Sequence, residues 1–306
     1  MGHGRGLRLA VALGMVGIAL VGVSGANPAY GADSPRAGLK PIHPSPDLAG
    51  SVNTLTVHSS ASRLLVSPHP KVYLVFWGSQ WAQDPAGAMS ALTGFFSALH
   101  GSVDTYDKIL AQYCEGVPAG TSNCGTAGIH IKVPTSTLLR GAWNDNAAPA
   151  PTHATQAQIA AEALSAATHF GNTTQTPNLN AEYVIVSATG THPDGFPNTG
   201  FCGWHAATNT SAGMLAYTNL PYVPDLGIGA CTTIASPNQV DGLLSTETHE
   251  YSETVTDFVP NNGWNGGNGE IGDECVNLDG RITLSTGTFD VQGEWSNSAN
   301  ACVTSA

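Results

Sequence analysis

The chain has 306 residues, with 22 Asp+Glu against 10 Lys+Arg and a formal net charge of −12 at pH 7. That imbalance argues against nucleic acid or an anionic membrane surface as partner. The 36 glycines and 19 prolines imply many turns, and the six cysteines are an even number, which suits an oxidising compartment.

In chain order, Arg5 and Arg8 precede an apolar run from Leu9 to Val23, followed by small residues around Ala26 and from Ala29 to Ala32. This is the layout of a secretory signal peptide over residues 1–32, with cleavage after Ala26, Gly31 or Ala32 each satisfying the small-residue rule. No later stretch approaches the ~20 apolar residues of a membrane span. The expected product is therefore a secreted protein without a membrane anchor after cleavage. Residues 33–68, rich in Pro, Ser, Gly and Ala, read as a flexible leader, with a propeptide as the alternative.

From Lys71 the pattern changes. Val72-Tyr73-Leu74-Val75-Phe76-Trp77 is a β-branched and aromatic run ended by Gly78, the signature of a buried strand. Met89, Leu92, Phe95, Phe96 and Leu99 then fall at helical spacing between Ala86 and Leu99. Ile129 to Val133 alternates like a half-buried strand. Gln156 to Phe170 reads as an alanine-rich amphipathic helix stopped by Gly171, and Tyr183-Val184-Ile185-Val186 as a second buried strand. Strands alternating with helices indicate an α/β fold, with α+β as the alternative: a mixed sheet with flanking helices and disulfide-stapled loops. Residues 69–306 are expected to form one globular domain, with a Gly-rich C-terminal subdomain from about residue 263.

A long helix is expected before that tail. Ser236-Pro237-Asn238-Gln239 offers an N-cap serine, a first-turn proline and a capping-box glutamine, and Pro260 with the following Asn261, Asn262 and Gly263 ends it. At about 100° per residue, Leu244, Tyr251, Val255 and Phe258 gather on one side and Thr246, His249, Glu250, Glu253 and Asp257 on the other. The first stripe is expected in the core and the second facing a cleft.

The second stripe carries the chemistry. His249 and Glu253 stand one turn apart with Glu250 beside them, the layout of a zincin-like helix in which two ligands lie at i and i+4 and a carboxylate takes a proton from water. Here the usual second histidine is a glutamate, so the motif is HExxE. From Glu247 to Glu274 there are seven carboxylates and no Lys or Arg, a clustering that costs repulsion unless a cation sits among them. His249 and Glu253 supply two ligands and the third comes from Glu270 or Asp273, with Glu270 preferred, Asp273 orienting His249, and Asp257 as a further candidate. His192 or His205 is placed to stabilise an oxyanion. Imidazole argues for Zn²⁺ as cofactor, with Ca²⁺ as the alternative. Two anionic ligands weaken the zinc as a Lewis acid.

Other catalytic patterns are thin. There is no GxSxG elbow and no Rossmann or P-loop glycine pattern. None of the cysteines forms a CxxC pair, and their short separations favour sequential bridges: Cys114 with Cys124, Cys202 with Cys231, Cys275 with Cys302. The six tryptophans either fill the core or line a saccharide groove.

Three blocks resemble the phosphate-induced, exordium-like secreted proteins of plants and their bacterial relatives: Val72 to Gly78, Phe201-Cys202-Gly203-Trp204-His205, and His249-Glu250-Tyr251-Ser252-Glu253 followed by Glu270-Ile271-Gly272-Asp273-Glu274-Cys275. The resemblance implies a secreted or wall-associated protein without a secure enzymatic activity. Two functions are therefore carried forward. One is a zinc-dependent hydrolase, foremost a peptidase, acting on an extracellular peptide or protein. The other is a non-catalytic signalling or binding protein, with a cell-wall component as partner and a structural metal site.

Overall fold

The computed structural model describes residues 1–2, 36–42, 54–59 and 64–306. Most of the expected signal peptide and part of the leader lie outside the described residues. In chain order the elements begin with β1 (Ala37–Pro41), β2 (Thr56–Val57), β3 (Lys71–Trp77), α1 (Ala88–Ala98), α2 (Asp107–Leu110), β4 (Cys114–Glu115) and β5 (Ile129–His130). Next come β6 (Leu139–Asp145), α3 (Gln156–His169), α4 (Gln175–Asn178), β7 (Ala181–Ser187), β8 (Phe201–Thr210) and β9 (Gly213–Leu220). The long helix α5 (Asp241–Thr256) precedes β10 (Trp264–Asn265), β11 (Asp279–Leu284), β12 (Gly287–Gln292), β13 (Glu294–Ser296) and β14 (Ala301–Val303).

The fold is α/β, built on a six-stranded mixed sheet in the order β1-β8-β9-β7-β3-β6. Strands β6, β3, β7 and β9 run parallel, whereas β8 and β1 join antiparallel at one edge. Alternation along each strand divides the side chains between two cores. Leu74, Phe76, Val184 and Val186 pack on the α1 and α5 side, while Val75, Tyr183 and Ile185 meet the alanines of α3 on the other. Each such buried large side chain contributes about 1.5–3 kcal/mol through lost apolar contact with water. Strand β3 ends where Gly78 takes φ 104, a conformation suited to glycine, and where a Cβ would meet the Ala150 nitrogen at 2.6 Å.

Helix α3 is entered through a full capping box, with Thr155 accepting from the Gln158 backbone and Gln158 reaching back to the Thr155 nitrogen. Helix α5 begins later than expected. The backbone nitrogen of Asn238 donates to Asp241 Oδ2 and that of Val240 to Asn238 Oδ1, so residues 237–240 form a turn and the helix opens at Asp241. Ile129 to Val133 is likewise shorter than expected, with only Ile129–His130 pairing, against β4.

Two further expectations change. The leader carries strands: β1 pairs with β8, and Lys40 from it is fully buried, donating to Ser245 and Gln292 and pairing with Asp279 at 3.4 Å. β2 pairs with β10. The Gly-rich tail puts Trp264, Ile271, Phe289, Val291 and Trp295 into the same apolar cluster as α1 and α5. It therefore packs as part of the main core. Four of the six tryptophans, Trp81, Trp204, Trp264 and Trp295, are buried.

All three disulfides form in the sequential pairing, Cys114–Cys124, Cys202–Cys231 and Cys275–Cys302. Bridges of this kind, together with the absence among the described residues of any helix long and apolar enough to cross a membrane, are compatible with an extracellular protein.

Candidate metal centre

Helix α5 packs against β8 and β9 of the sheet on one side and against β12 on the other. Every residue from Asp241 to Thr256 is consequently buried, including Glu247, His249, Glu250 and Glu253. The polar stripe faces no open cleft. It faces the sheet and the C-terminal segment inside the protein.

Strand β8 brings the decisive partner. Trp204 and Ala206 enter the α3 core, so His205 between them points to the opposite face, where α5 lies. The loop after β10 adds Glu270 and Asp273. His249 Nε2 lies 3.4 Å and His205 Nε2 3.7 Å from the same Glu253 Oε2. His205 Nε2 is also 2.9 Å from Glu270 Oε2, and Asp273 Oδ1 stands 3.8 Å from His249 Nε2.

These spacings test the fit of a metal. Ligands 2.0–2.2 Å from a tetrahedral ion sit about 3.3–3.6 Å from one another. The His249 contact to Glu253 Oε2, at 3.4 Å, has that spacing and the His205 contact, at 3.7 Å, is slightly longer; both are too long for good hydrogen bonds. His205, Glu253 and Glu270 form one group able to hold an ion, and His249, Glu250 and Glu253 another, sharing Glu253. The two groups stand side by side on Glu253, and between them they offer imidazole nitrogens and carboxylate oxygens, ligand types that a divalent cation accepts.

The surroundings support the donors. Glu253 Oε1 accepts from the Asp273 backbone nitrogen at 3.0 Å, and the Glu270 nitrogen donates to Asp273 Oδ2 at 3.1 Å. Gly272 permits the close approach: a Cβ there would meet His249 Nδ1 at 2.5 Å and Glu253 Oε1 at 2.9 Å. Gln292 holds the far side of His249, with its Oε1 3.2 Å and its Nε2 2.9 Å from Nδ1. Lys40 donates to that Oε1 while Nε2 donates to the Gly272 carbonyl at 2.8 Å, which fixes the amide. The amide thus pins the Nδ1 side of the ring and turns Nε2 towards Glu253 and Asp273.

The electrostatics are severe. Burial pushes the carboxyl groups of Glu250 and Glu253 well above their ordinary range; Asp273 and Glu270 add to the rise in both, Glu247 in Glu250, and Glu250 in Glu253. Glu247 is raised by burial and by Glu182. Both carboxylate oxygens of Glu250 and of Glu247 lack a hydrogen-bond partner among the described residues. Taking an unpaired carboxylate out of water costs several kcal/mol. A bound divalent cation offsets that cost directly.

The sequence-derived roles sort as follows. His249, Glu253, Glu270 and Asp273 come together, with Glu250 beside them. His205 stands within the donor set and not apart from it as an oxyanion group. His192 lies elsewhere, its ring stacked 5.5 Å from that of His153 and its nitrogen bonded to the Thr152 carbonyl. Asp257 accepts from the backbone nitrogens of Asn261, Asn262 and Gly263 and from Asn265 Nδ2, so it ties down the turn after α5 while its charge reaches Glu270 and His205. The orienting role assigned to Asp273 falls to Gln292, because Asp273 approaches Nε2 and Gln292 approaches Nδ1.

A surface cavity of about 360 Å³, lined by Arg36, Leu39, Asn261, Asn265, Gly269, Glu270 and Asp273, reaches the outermost of these residues, Glu270 and Asp273, while His205, His249, Glu250 and Glu253 lie behind them. No protein-family model, curated protein or solved structure matches this chain.

Proposed function

We propose that this chain is a secreted, zinc-dependent hydrolase, foremost a peptidase acting on extracellular peptide or protein. The observation that carries the reading is the pair of donor groups sharing Glu253, His205 with Glu270 on one side and His249 with Glu250 on the other, in which the Glu250 carboxylate has no hydrogen-bond partner among the described residues. A zinc ion held there polarises a carbonyl and makes water a better nucleophile near neutral pH. The chain's own part is proton handling. Glu250 would accept a proton at one carboxylate oxygen from the attacking water and return it to the leaving amine. Substrate reaches the site through the cavity at Glu270 and Asp273.

A second reading has its own support. Were His205, His249, Glu253 and Glu270 all to bind one ion, protein donors would fill its tetrahedral shell, as in structural zinc sites, whereas catalytic ones keep a position for water. Under that reading the protein is a non-catalytic, exordium-like binding protein whose metal braces the fold.

The deciding experiment measures metal and turnover together. Elemental analysis of the purified protein should give close to one equivalent of zinc, and His205→Ala should lose it. Glu250→Gln should keep the metal and the melting temperature while abolishing cleavage of a peptide library. Wild-type protein that holds zinc yet cleaves nothing establishes the second reading, and protein that neither contains nor takes up zinc ends both.

A further inference from the structure

We propose that the cavity at the start of β3 is a binding site for a phosphate or sulfate ester of a sugar-sized molecule. The cations of the described chain are Arg36, Lys40, Lys71, Lys108, Lys132, Arg140 and Arg281. Arg36, Lys40 and Arg281 are committed to Asp194, Asp279 and Asp241. Of the four others, Lys71, Lys132 and Arg140 line one cavity of about 430 Å³, together with His69, Thr135 and Ser136. No carboxylate lines it.

The backbone holds these side chains together through pairings made for other reasons. Lys71 opens β3, with its nitrogen on the Asn180 carbonyl at 2.8 Å, and the His69 nitrogen donates to Asn180 Oδ1 at 2.8 Å. Parallel pairing of β3 with β6 sets Val72 opposite Leu139 and Tyr73 opposite Gly141, which brings Arg140 alongside. Lys132 is tied through its nitrogen to the Pro68 carbonyl at 3.0 Å. The Arg140 guanidinium donates to Ser136 Oγ at 3.3 Å. Lys132 and Arg140 are exposed, so their charged ends meet solvent.

Gathering three like charges is costly unless an anion lies among them, and in a chain of net charge −12 it marks the place where negative ligands are drawn in. A guanidinium, two ammonium groups and two hydroxyls supply donors for several oxygens of one tetrahedral anion. The cavity falls within the ~300–1,000 Å³ of small-molecule sites and exceeds what a bare oxyanion fills, which assigns it to an ester.

The test is titration calorimetry at low salt with glucose 6-phosphate, glucose 6-sulfate, inorganic phosphate and glucose. One of the two esters should bind with a Kd of about 1 mM or tighter, glucose should not bind, and tenfold more salt should weaken the ester by screening. The double variant K132A/R140A should bind it at least about tenfold more weakly, a loss equal to one cation contact or more, with an unchanged melting temperature because both side chains are exposed. Binding undiminished in the double variant, binding indifferent to salt, inorganic phosphate as tight as the ester, or no binding of either ester would each overturn the assignment.

Discussion

Gln292 settles which nitrogen of His249 faces the donor cluster, and it does so with one amide held at both ends. Lys40 takes its oxygen and the Gly272 carbonyl takes its nitrogen. Gln292→Leu should therefore lower zinc affinity by about 10–100-fold, the usual effect of losing a partner behind a metal-ligating histidine, as measured by competition with a chromogenic chelator. Gly272→Ala is the steric counterpart. Its φ of −77° accepts alanine, but the new methyl would press on His249 Nδ1 and Glu253 Oε1. Zinc content should fall while the disulfides and circular dichroism stay unchanged. The HExxE pair was legible because i and i+4 spacing is local to one helix. His205 could be singled out only as a candidate, since a lone histidine in a strand does not tell which loop will cover it. Gln292 left no signal at all: nothing in the residues around it announces that β12 will lie along α5.

At the scale of elements, the long helix was legible in kind and its environment was not. Its apolar stripe of Leu244, Tyr251 and Val255 is buried as periodicity requires. The opposite stripe is buried as well, because a chain segment some forty residues downstream folds over it, a long-range arrangement that no window of sequence contains. Its start moved from Ser236 to Asp241 because the side chains of Asn238 and Asp241 bond backbone nitrogens in a turn. The segment after it, carrying Glu270 and Asp273, is stapled at once by Cys275–Cys302, a bridge spanning 27 residues. Opening a loop of that length removes about 3–4 kcal/mol in the chain-entropy model. C275S/C302S should lower the urea midpoint accordingly. It should also weaken zinc binding, because the bridge anchors the neighbouring donors.

For the molecule as a whole, the parallel centre of the sheet was readable from the apolar runs in β3 and β7. The strands β6, β8 and β9 were not, since β6 alternates with exposed residues and β8 and β9 carry Gly, Thr and Asn among their apolar positions. The interior of this protein is rich in acid, and away from the proposed metal site that can be tested on one group. Burial, with Asp145 adding repulsion, pushes Glu162 on α3 up to about 8 from its ordinary 4.5. The folded chain then keeps a proton that the unfolded chain has released, so this group's contribution to stability is full below pH 4.5 and is lost as pH rises towards 8. Glu162→Gln, neutral throughout, should gain melting temperature relative to wild type between pH 5 and pH 8, and an equal difference at both ends of that window would refute the assignment.

Strand β1 has a bearing on maturation. It occupies the outer edge of β8, so trimming the chain beyond Pro41 would bare a row of unsatisfied amides and carbonyls along the strand that carries His205. It would also strip the buried ammonium of Lys40 from Asp279. Such an edge invites stacking with a second molecule, which makes the trimmed form prone to polymerise. The three cleavage positions expected from the sequence, after Ala26, Gly31 or Ala32, all lie upstream of Arg36 and would spare it.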